Sequence, residues 1–301
     1  VKVAVTGATG AVGMALVRLH VARGDEVLAI THPGSSRTAR LREVRGVRTA
    51  EAGLDQYPRL GEPPGYDVFY HLAWEGGTRR NDWASNLRSA TASLQAVELA
   101  ARLGCAVFIG AGSQAECGPQ ATPIGPDTAC APDTPFGAAK LAALHCTRVR
   151  AAELGLRFAW ARILSVYGPY DGERTLVTST IRTLLRGGTP QFTSGTQHWD
   201  FLYADDAAAA LAAVADHGGA HGIFAVGSGT ARPLKEHIAA ILAPFGLPAD
   251  PYLGLVPAPP HAVRYLVADI GRLANECGWT PAVGFAEGIA RTIAHCQTHA
   301  P

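Results

Sequence analysis

The sequence predicts an α/β protein built on a doubly wound parallel sheet, with a smaller α/β lobe toward the C-terminus. Three observations predict it. Short β-rich apolar runs alternate with segments of helical period along the 301 residues, the order that builds a parallel sheet covered on both faces. A glycine-rich turn, "GATGAVG", joins the first such run to the first helical segment. After "YGPYDG" (167–172) the alternation loosens, and the tail from about residue 230 is richer in proline.

The elements follow in order. "VKVAVT" opens a strand, the glycine turn follows, and "MALVRLHVARG" (14–24) has helical period and closes on Gly24. "EVLAI" (26–30), "YDVFYHLA" (66–73) and "CAVFIGAGS" (105–113) read as strands. Between the last two, residues 86–104 carry apolar side chains at helical spacing and end in glycine. A further helix is expected over 138–155 and a strand over 157–168. A helix over 176–188 leads into the polar stretch "TPQFTSGTQ". Residues 199–219 return to strand-then-helix order, 222–229 form a strand, and the tail carries helices at 234–246 and 285–297. Right-handed crossovers would make the sheet doubly wound.

Composition narrows the function classes. The chain is 48% hydrophobic and 17% charged with a net charge of +1, so a large core is available and no basic surface marks a nucleic-acid partner. Six cysteines (105, 117, 130, 146, 277, 296) show no CxxC or ligand-like spacing, so reduced thiols and no metal are expected. The first residues read as a strand rather than a charged-then-apolar leader, and no apolar run reaches membrane-spanning length. A cytoplasmic protein without membrane partners is expected.

Gly7-Ala8-Thr9-Gly10-Ala11-Val12-Gly13 is GxxGxxG placed between a strand and a helix. Glycines there permit a tight turn, close approach of backbone to a pyrophosphate, and close helix–strand packing, while the helix N-terminus offers free N–H groups to the phosphates. An acid at the end of the second strand would bind the adenine ribose of NAD. Here that strand ends in Thr31, followed by Ser36 and Arg37; hydroxyls and a guanidinium suit the 2′-phosphate of NADP, with NAD the alternative. Arg37 and Arg40 as a solvated helix start is the bland reading. Leu72, Ala73 and Trp74 lie at the C-terminal end of a strand, where ligands bind in such sheets, so their backbone is expected to line the cofactor, and Glu75 can reach a substrate there.

With these residues in view, the chain resembles the extended short-chain dehydrogenase/reductases, the nucleotide-sugar epimerase, dehydratase and ketoreductase group. The motifs are "TGATGAVG" (6–13), "YHLA" (70–73), "GAGSQAECG" (110–118), "PFGAAK" (135–140), "RILSVYGP" (162–169), "WDFLYADDAA" (199–208) and "LANECGWTP" (273–281). The resemblance implies a Rossmann domain from 1–168 and 199–229 and a substrate lobe from 169–198 and 230–301. It adds Leu54 and Ile163 to the cofactor wall. It implies that Ser113 polarises the substrate oxygen and that Lys140 holds the nicotinamide ribose. It further implies a homodimer formed through helices 86–103 and 138–154.

The departures from the family pattern are specific. Phe136 stands where the family has the tyrosine that exchanges a proton with the substrate. Three explanations stay open: an inactivated Tyr-to-Phe form, an enzyme using another group (Cys117, Ser113, Tyr167, Glu75 or water), or a cofactor-binding protein without turnover. Cys117 stands at another tyrosine position, Ser165 where relatives often carry Asn, and Trp199 where many carry Arg. Arg182, Arg186 and Arg264 are candidates for a substrate diphosphate. Asp205 and Asp206 are expected to cap or brace a helix rather than to act in catalysis. The expected function is an NAD(P)-dependent oxidoreductase acting on a nucleotide-activated sugar, foremost a keto-sugar reductase, with a 4-epimerase or a silent binding protein as alternatives. Dehydration is less favoured, because the Asp-Glu pair that dehydratases place after the hydroxyl is missing.

Overall fold

The structure, a computed structural model, describes residues 1–75, 81–259 and 262–299. Strand β1 (Lys2–Thr6) and helix α1 (Ala11–Ala22) flank the glycine turn, followed by β2 (Glu26–Thr31), β3 (Val47–Glu51) and β4 (Val68–His71). Next come α2 (Trp83–Arg102), β5 (Val107–Ser113), α3 (Pro135–Glu153), β6 (Arg157–Ile163), β7 (Ser165–Tyr167) and α4 (Leu176–Leu185). The chain continues through β8 (His198–Trp199), β9 (Phe201–Tyr203), α5 (Ala204–Asp216), β10 (Gly222–Val226) and β11 (Arg232–Pro233). It ends in α6 (Leu234–Leu242), β12 (Tyr265–Leu266), α7 (Gly271–Cys277) and α8 (Phe285–Thr298).

Seven strands form one sheet in the order β10-β6-β5-β4-β1-β2-β3, every pairing parallel. The chain runs outward from β1 to β3, then restarts on the other side of β1 with β4. Strand order therefore reverses between β1 and β4, and the crevice outside their carboxyl ends is where such sheets bind ligands. Both faces are buried. On one, Met14, Leu16 and Val17 of α1 meet the alanines of α5, whose small side chains let the two helices approach closely. On the other, Phe69, Phe108, Phe158 and Trp160 stack across β4, β5 and β6 at centroid distances of 5.8, 6.2 and 6.2 Å, under α2 and α3.

The structure differs from the expected elements in three places. The strand expected over 157–168 breaks after Ile163: Leu164 N–H bonds to Val226 O, and β7 turns away to pair with β9. The strand expected from residue 199 onward is split: β8 joins β11 and β12 in a separate three-stranded sheet, and β9 pairs with β7. Strand β3 and the 3₁₀ segment Leu54–Arg59 have no counterpart among the expected elements, and the helix start weighed at Arg37 and Arg40 is a 3₁₀ segment over Ser36–Glu43. "VRTAE" buries a single residue, Ala50, so its apolar signal is weak.

Two buried carboxylates tie distant segments of the chain together. Asp200 accepts N–H bonds from Ser228, Gly229 and Ala268 at 2.6, 2.9 and 3.0 Å. Asp206 accepts from Ala282 N and Val283 N at 3.1 and 2.9 Å. Asp206 thus braces the C-terminal segment rather than capping its own helix, whose N-cap is Tyr203. Among the described residues no helix is long and apolar enough to cross a membrane, and no group of three metal-ligating side chains is assembled.

Candidate active site

The turn after β1 creates the site. Gly7 has φ 68°, and a β-carbon there would stand 2.7 Å from Leu72 C and Ala73 N; only glycine lets the turn lie against the end of β4. Gly13 seats α1 on that turn in the same way, since a β-carbon there would fall 2.8 Å from Ala8 Cα. Gly10 differs: its nearest neighbour would be Gly7 O at 3.6 Å. It is the N-cap of α1, no side chain caps the helix, and the first turn has no acid. The helix therefore presents free N–H groups and the positive end of its dipole to open space.

That space is a cleft of about 950 Å³ lined by the glycine turn, the segment from Ile30 to Ser35, Arg37, Leu54 and Asp55, Leu72 to Glu75, and Arg88, Thr91 and Gln95 of α2. Of the cofactor residues expected from sequence, Gly7, Thr9, Gly10, Thr31, Arg37, Leu54, Leu72, Ala73 and Trp74 line it. Ala11, Val12, Gly13, Ser36, Ile163 and Lys140 are not part of its wall. Arg40, weighed only as a solvated charge, donates to Thr9 O at 2.7 Å and stacks on Tyr170, 5.1 Å from the ring centre. It holds the glycine turn from behind. Tyr170 has φ 64°, a strained value for a bulky residue, and its hydroxyl bonds to Glu43.

Trp74 separates the cleft from a second cluster. Its Nε1 donates to Asn86 at 2.9 Å, which fixes the indole. One face covers Lys140, whose Nζ lies 3.9 Å from the ring centre, and Phe136 meets it edge-on at 5.9 Å. Lys140 is 5% exposed and donates to Ala111 O at 2.7 Å. Burial pushes its pKa down to about 7, with Glu116 opposing. The structure thus brings Phe136 and Lys140 together one helical turn apart, as expected, but roofs the lysine with Trp74 instead of opening it to the cleft.

Ser113 ends β5 two residues beyond the lysine's acceptor. Its Oγ accepts from Ala115 N at 3.3 Å, and its N–H donates to Glu116 at 2.7 Å. Glu116 is fully buried and also accepts from Trp160 Nε1 and from Arg162 Nε, at 3.0 and 3.1 Å. This network fixes the strand end that carries the hydroxyl.

The other proton carriers considered fare differently. Cys117 is fully buried, and burial pushes its thiol up to about 12. Tyr167 is buried against α8, its hydroxyl donating to Phe285 O at 3.1 Å, and burial raises its pKa. Glu75 lines the cleft but is held by Arg88 through bonds of 3.0 and 2.8 Å. Lys140, 6.0 Å from the centre of the Phe136 ring, is left as the group near Phe136 that can hold or pass a proton near neutral pH, and Ser113 ends the strand whose Ala111 carbonyl the lysine bonds.

The expected substrate contacts lie apart. Trp199 Nε1 donates to Ser165 Oγ at 2.8 Å, so the two departures from the family pattern form one bonded pair. Arg182 is paired with Glu173 at 2.6 Å. Arg264 is exposed, and its carbonyl accepts from His198 N. Sequence reasoning missed Tyr57, Asp55 and the α2 residues in the cleft wall. A helix face near Trp74 is set by packing, and no local motif marks it.

Comparison with known proteins agrees with this fold. The profile described as "NAD dependent epimerase/dehydratase family" matches residues 3–227. A UDP-glucose 4-epimerase of Mycolicibacterium smegmatis is 27% identical over 308 residues, covering 96% of both chains. A dTDP-glucose 4,6-dehydratase of Xanthomonas campestris pv. campestris is 31% identical over 176 residues, and the match spans 50% of that protein's length. Among solved structures, MoeE5 in complex with UDP-glucose and NAD superposes with a TM-score of 0.86 at 25% identity over 100% of both chains. A UDP-glucuronic acid 4-epimerase from Bacillus cereus shares the fold, with a TM-score of 0.87 at 20% identity over 99% of each chain.

Proposed function

The chain belongs to the NAD dependent epimerase/dehydratase family, and from that premise we propose that it binds a nicotinamide dinucleotide and supports hydride exchange at a ring carbon of a nucleotide-activated sugar. The observation that carries the reading is the cleft at the β1/β4 reversal, which meets the uncapped N-terminus of α1 and is closed by Trp74, the indole that covers Lys140 and meets Phe136 edge-on. The residues present fit such a cofactor, because among the described residues a β-carbon on Gly10 would meet only Gly7 O, at 3.6 Å, which leaves space for a phosphate at the helix N-terminus.

A bound nicotinamide would accept and return hydride. The chain's own groups do the rest. The α1 N-terminus holds the diphosphate. Thr31, Ser35 and Arg37 face the adenosine end. Buried Lys140 keeps a cation, or at higher pH a neutral amine, beside the end of β5. Ser113 polarises the sugar oxygen and passes its proton, since Phe136 has none to give. Relatives acting at C4 of UDP-sugars support 4-epimerisation. Keto-sugar reduction is the second reading, favoured by Arg37 in the cleft wall, which suits the 2′-phosphate of NADP.

The larger dinucleotide half is assigned to 1–168 and 199–229 and the substrate lobe to 169–198 and 230–301, with Trp199 paired into the smaller sheet. A homodimer through α2 and α3 is supported by exposed Trp83, Leu87 and Val149 on those helices. A reducing, cytoplasmic setting is supported by six free thiols.

The test is a panel of UDP- and dTDP-sugars with NAD⁺, and of their keto forms with NADPH, comparing this chain with Phe136→Tyr. Epimer formation supports the first reading, and NADPH oxidation the second. A gain of about 10²-fold or more in Phe136→Tyr shows that a proton carrier belongs there. No turnover by either form overturns the enzymatic reading.

A further inference from the structure

We infer that Cys117 and Cys130 form an oxidisable thiol pair, closed to a disulfide by hydrogen peroxide, that adjusts the spacing of the candidate active site. The two sulfurs already touch at 3.7 Å although thirteen positions separate them. Bond formation requires them to close by roughly 1.7 Å, to about 2.05 Å. Both sit on short segments held together by backbone, with Ala131 N donating to Cys117 O at 3.3 Å. Gly118 takes φ 65° there, and a β-carbon on it would collide with Ala131 O.

The two thiols are unequal. Cys117 is fully buried, whereas Cys130 is half-buried. Arg162 donates an N–H to Cys130 Sγ at 3.3 Å, and that cation is placed to stabilise the charge the sulfur carries during attack. Cys130 is therefore the thiol that meets the oxidant. Its sulfur attacks one peroxide oxygen, the O–O bond breaks, hydroxide leaves as water, and a sulfenic acid remains. The Cys117 sulfur then attacks Cys130, the S–O bond breaks, and the thiol proton departs with the oxygen as a second water. Two thiols and one peroxide become a disulfide and two waters, the thiols giving up two electrons.

The pair is wired to the site. Cys117 closes the 3₁₀ turn that begins just after Ser113. Cys130 precedes Thr134, the N-cap of α3, whose first turns carry Phe136 and Lys140. That helix rests directly on the same turn: a β-carbon on Gly137 would fall 2.8 Å from Ala115 C. A crosslink between the segments changes the separation of Ser113 from Phe136 and Lys140.

The experiment treats the full chain with stoichiometric hydrogen peroxide and follows it by intact mass and non-reducing peptide mapping. The expected result is loss of two hydrogens, a 117–130 crosslink, and a change of about fivefold or more in NAD⁺ or NADP⁺ affinity that dithiothreitol reverses. Cys117→Ser should trap a dimedone-reactive sulfenic acid at Cys130, and Cys130→Ser should leave Cys117 unmodified. Oxidation confined to exposed Cys146, with 117 and 130 still open to alkylation, would overturn the inference. A crosslink that leaves dinucleotide affinity unchanged would overturn its link to the site. The crosslink is read independently of turnover, so its failure is distinguishable from failure of the proposed function.

Discussion

Replacing Lys140 with methionine should change how stability depends on pH. In the folded chain burial pushes this lysine from 10.5 to about 7, and Glu116 opposes the shift. In the unfolded chain it keeps its proton up to about 10.4. Between those values the unfolded state binds more protons, so this group makes stability rise with pH; below about 7 both states are protonated and its contribution is flat. The slope approaches about 1.4 kcal/mol per pH unit, and the integrated gain from pH 7 to pH 9 is about 2 kcal/mol. The Trp74 face, 3.9 Å from Nζ, favours the charged form by about 1 kcal/mol, which moves the window upward without changing its sign. Urea unfolding at pH 6, 7, 8 and 9 gives the assay. The wild-type stability minus that of Lys140→Met should be level at the acid end and climb at the alkaline end. A difference that stays flat, or falls as pH rises, refutes the placement of the amine in a dry environment.

Gly13→Ala should cost about 2 kcal/mol or more despite alanine's better helix propensity, because the new methyl meets backbone atoms of Gly7 and Ala8 that cannot rotate away; an unchanged or raised melting temperature would contradict this packing. Arg37→Glu should weaken NADP⁺ by at least about tenfold while leaving NAD⁺ within about threefold, read by calorimetric titration, and equal loss of both would remove Arg37 from the adenosine end.

The parts legible in the sequence are those whose physics is local. The glycine spacing announced a turn at the first strand–helix junction, because each glycine there answers to a neighbour in the same motif or at the end of an adjoining strand. Buried strands β1, β2, β4 and β5 showed as apolar runs. The Phe136–Lys140 pair followed from one helical turn. What escaped depends on residues far apart in the chain. Trp74 roofs Lys140 across 66 positions, and nothing in either neighbourhood signals it. Trp199 and Ser165 looked like separate departures and are one hydrogen-bonded pair. "WDFLY" reads as one strand before a helix, whereas Asp200, drawn inward by three N–H donors, divides it between two small sheets.

The central claim is that a nicotinamide dinucleotide lies against the α1 N-terminus. Calorimetric titration of NAD⁺ and NADP⁺ into this chain and into Gly10→Ala tests it most directly, since the added methyl would keep ordinary contact with Gly7 O and so leave the fold intact. Saturable one-to-one binding to the parent chain, weakened about tenfold or more by the methyl, is the predicted result. Heats no different from dilution for both dinucleotides, or equal affinity in the two proteins, would contradict it.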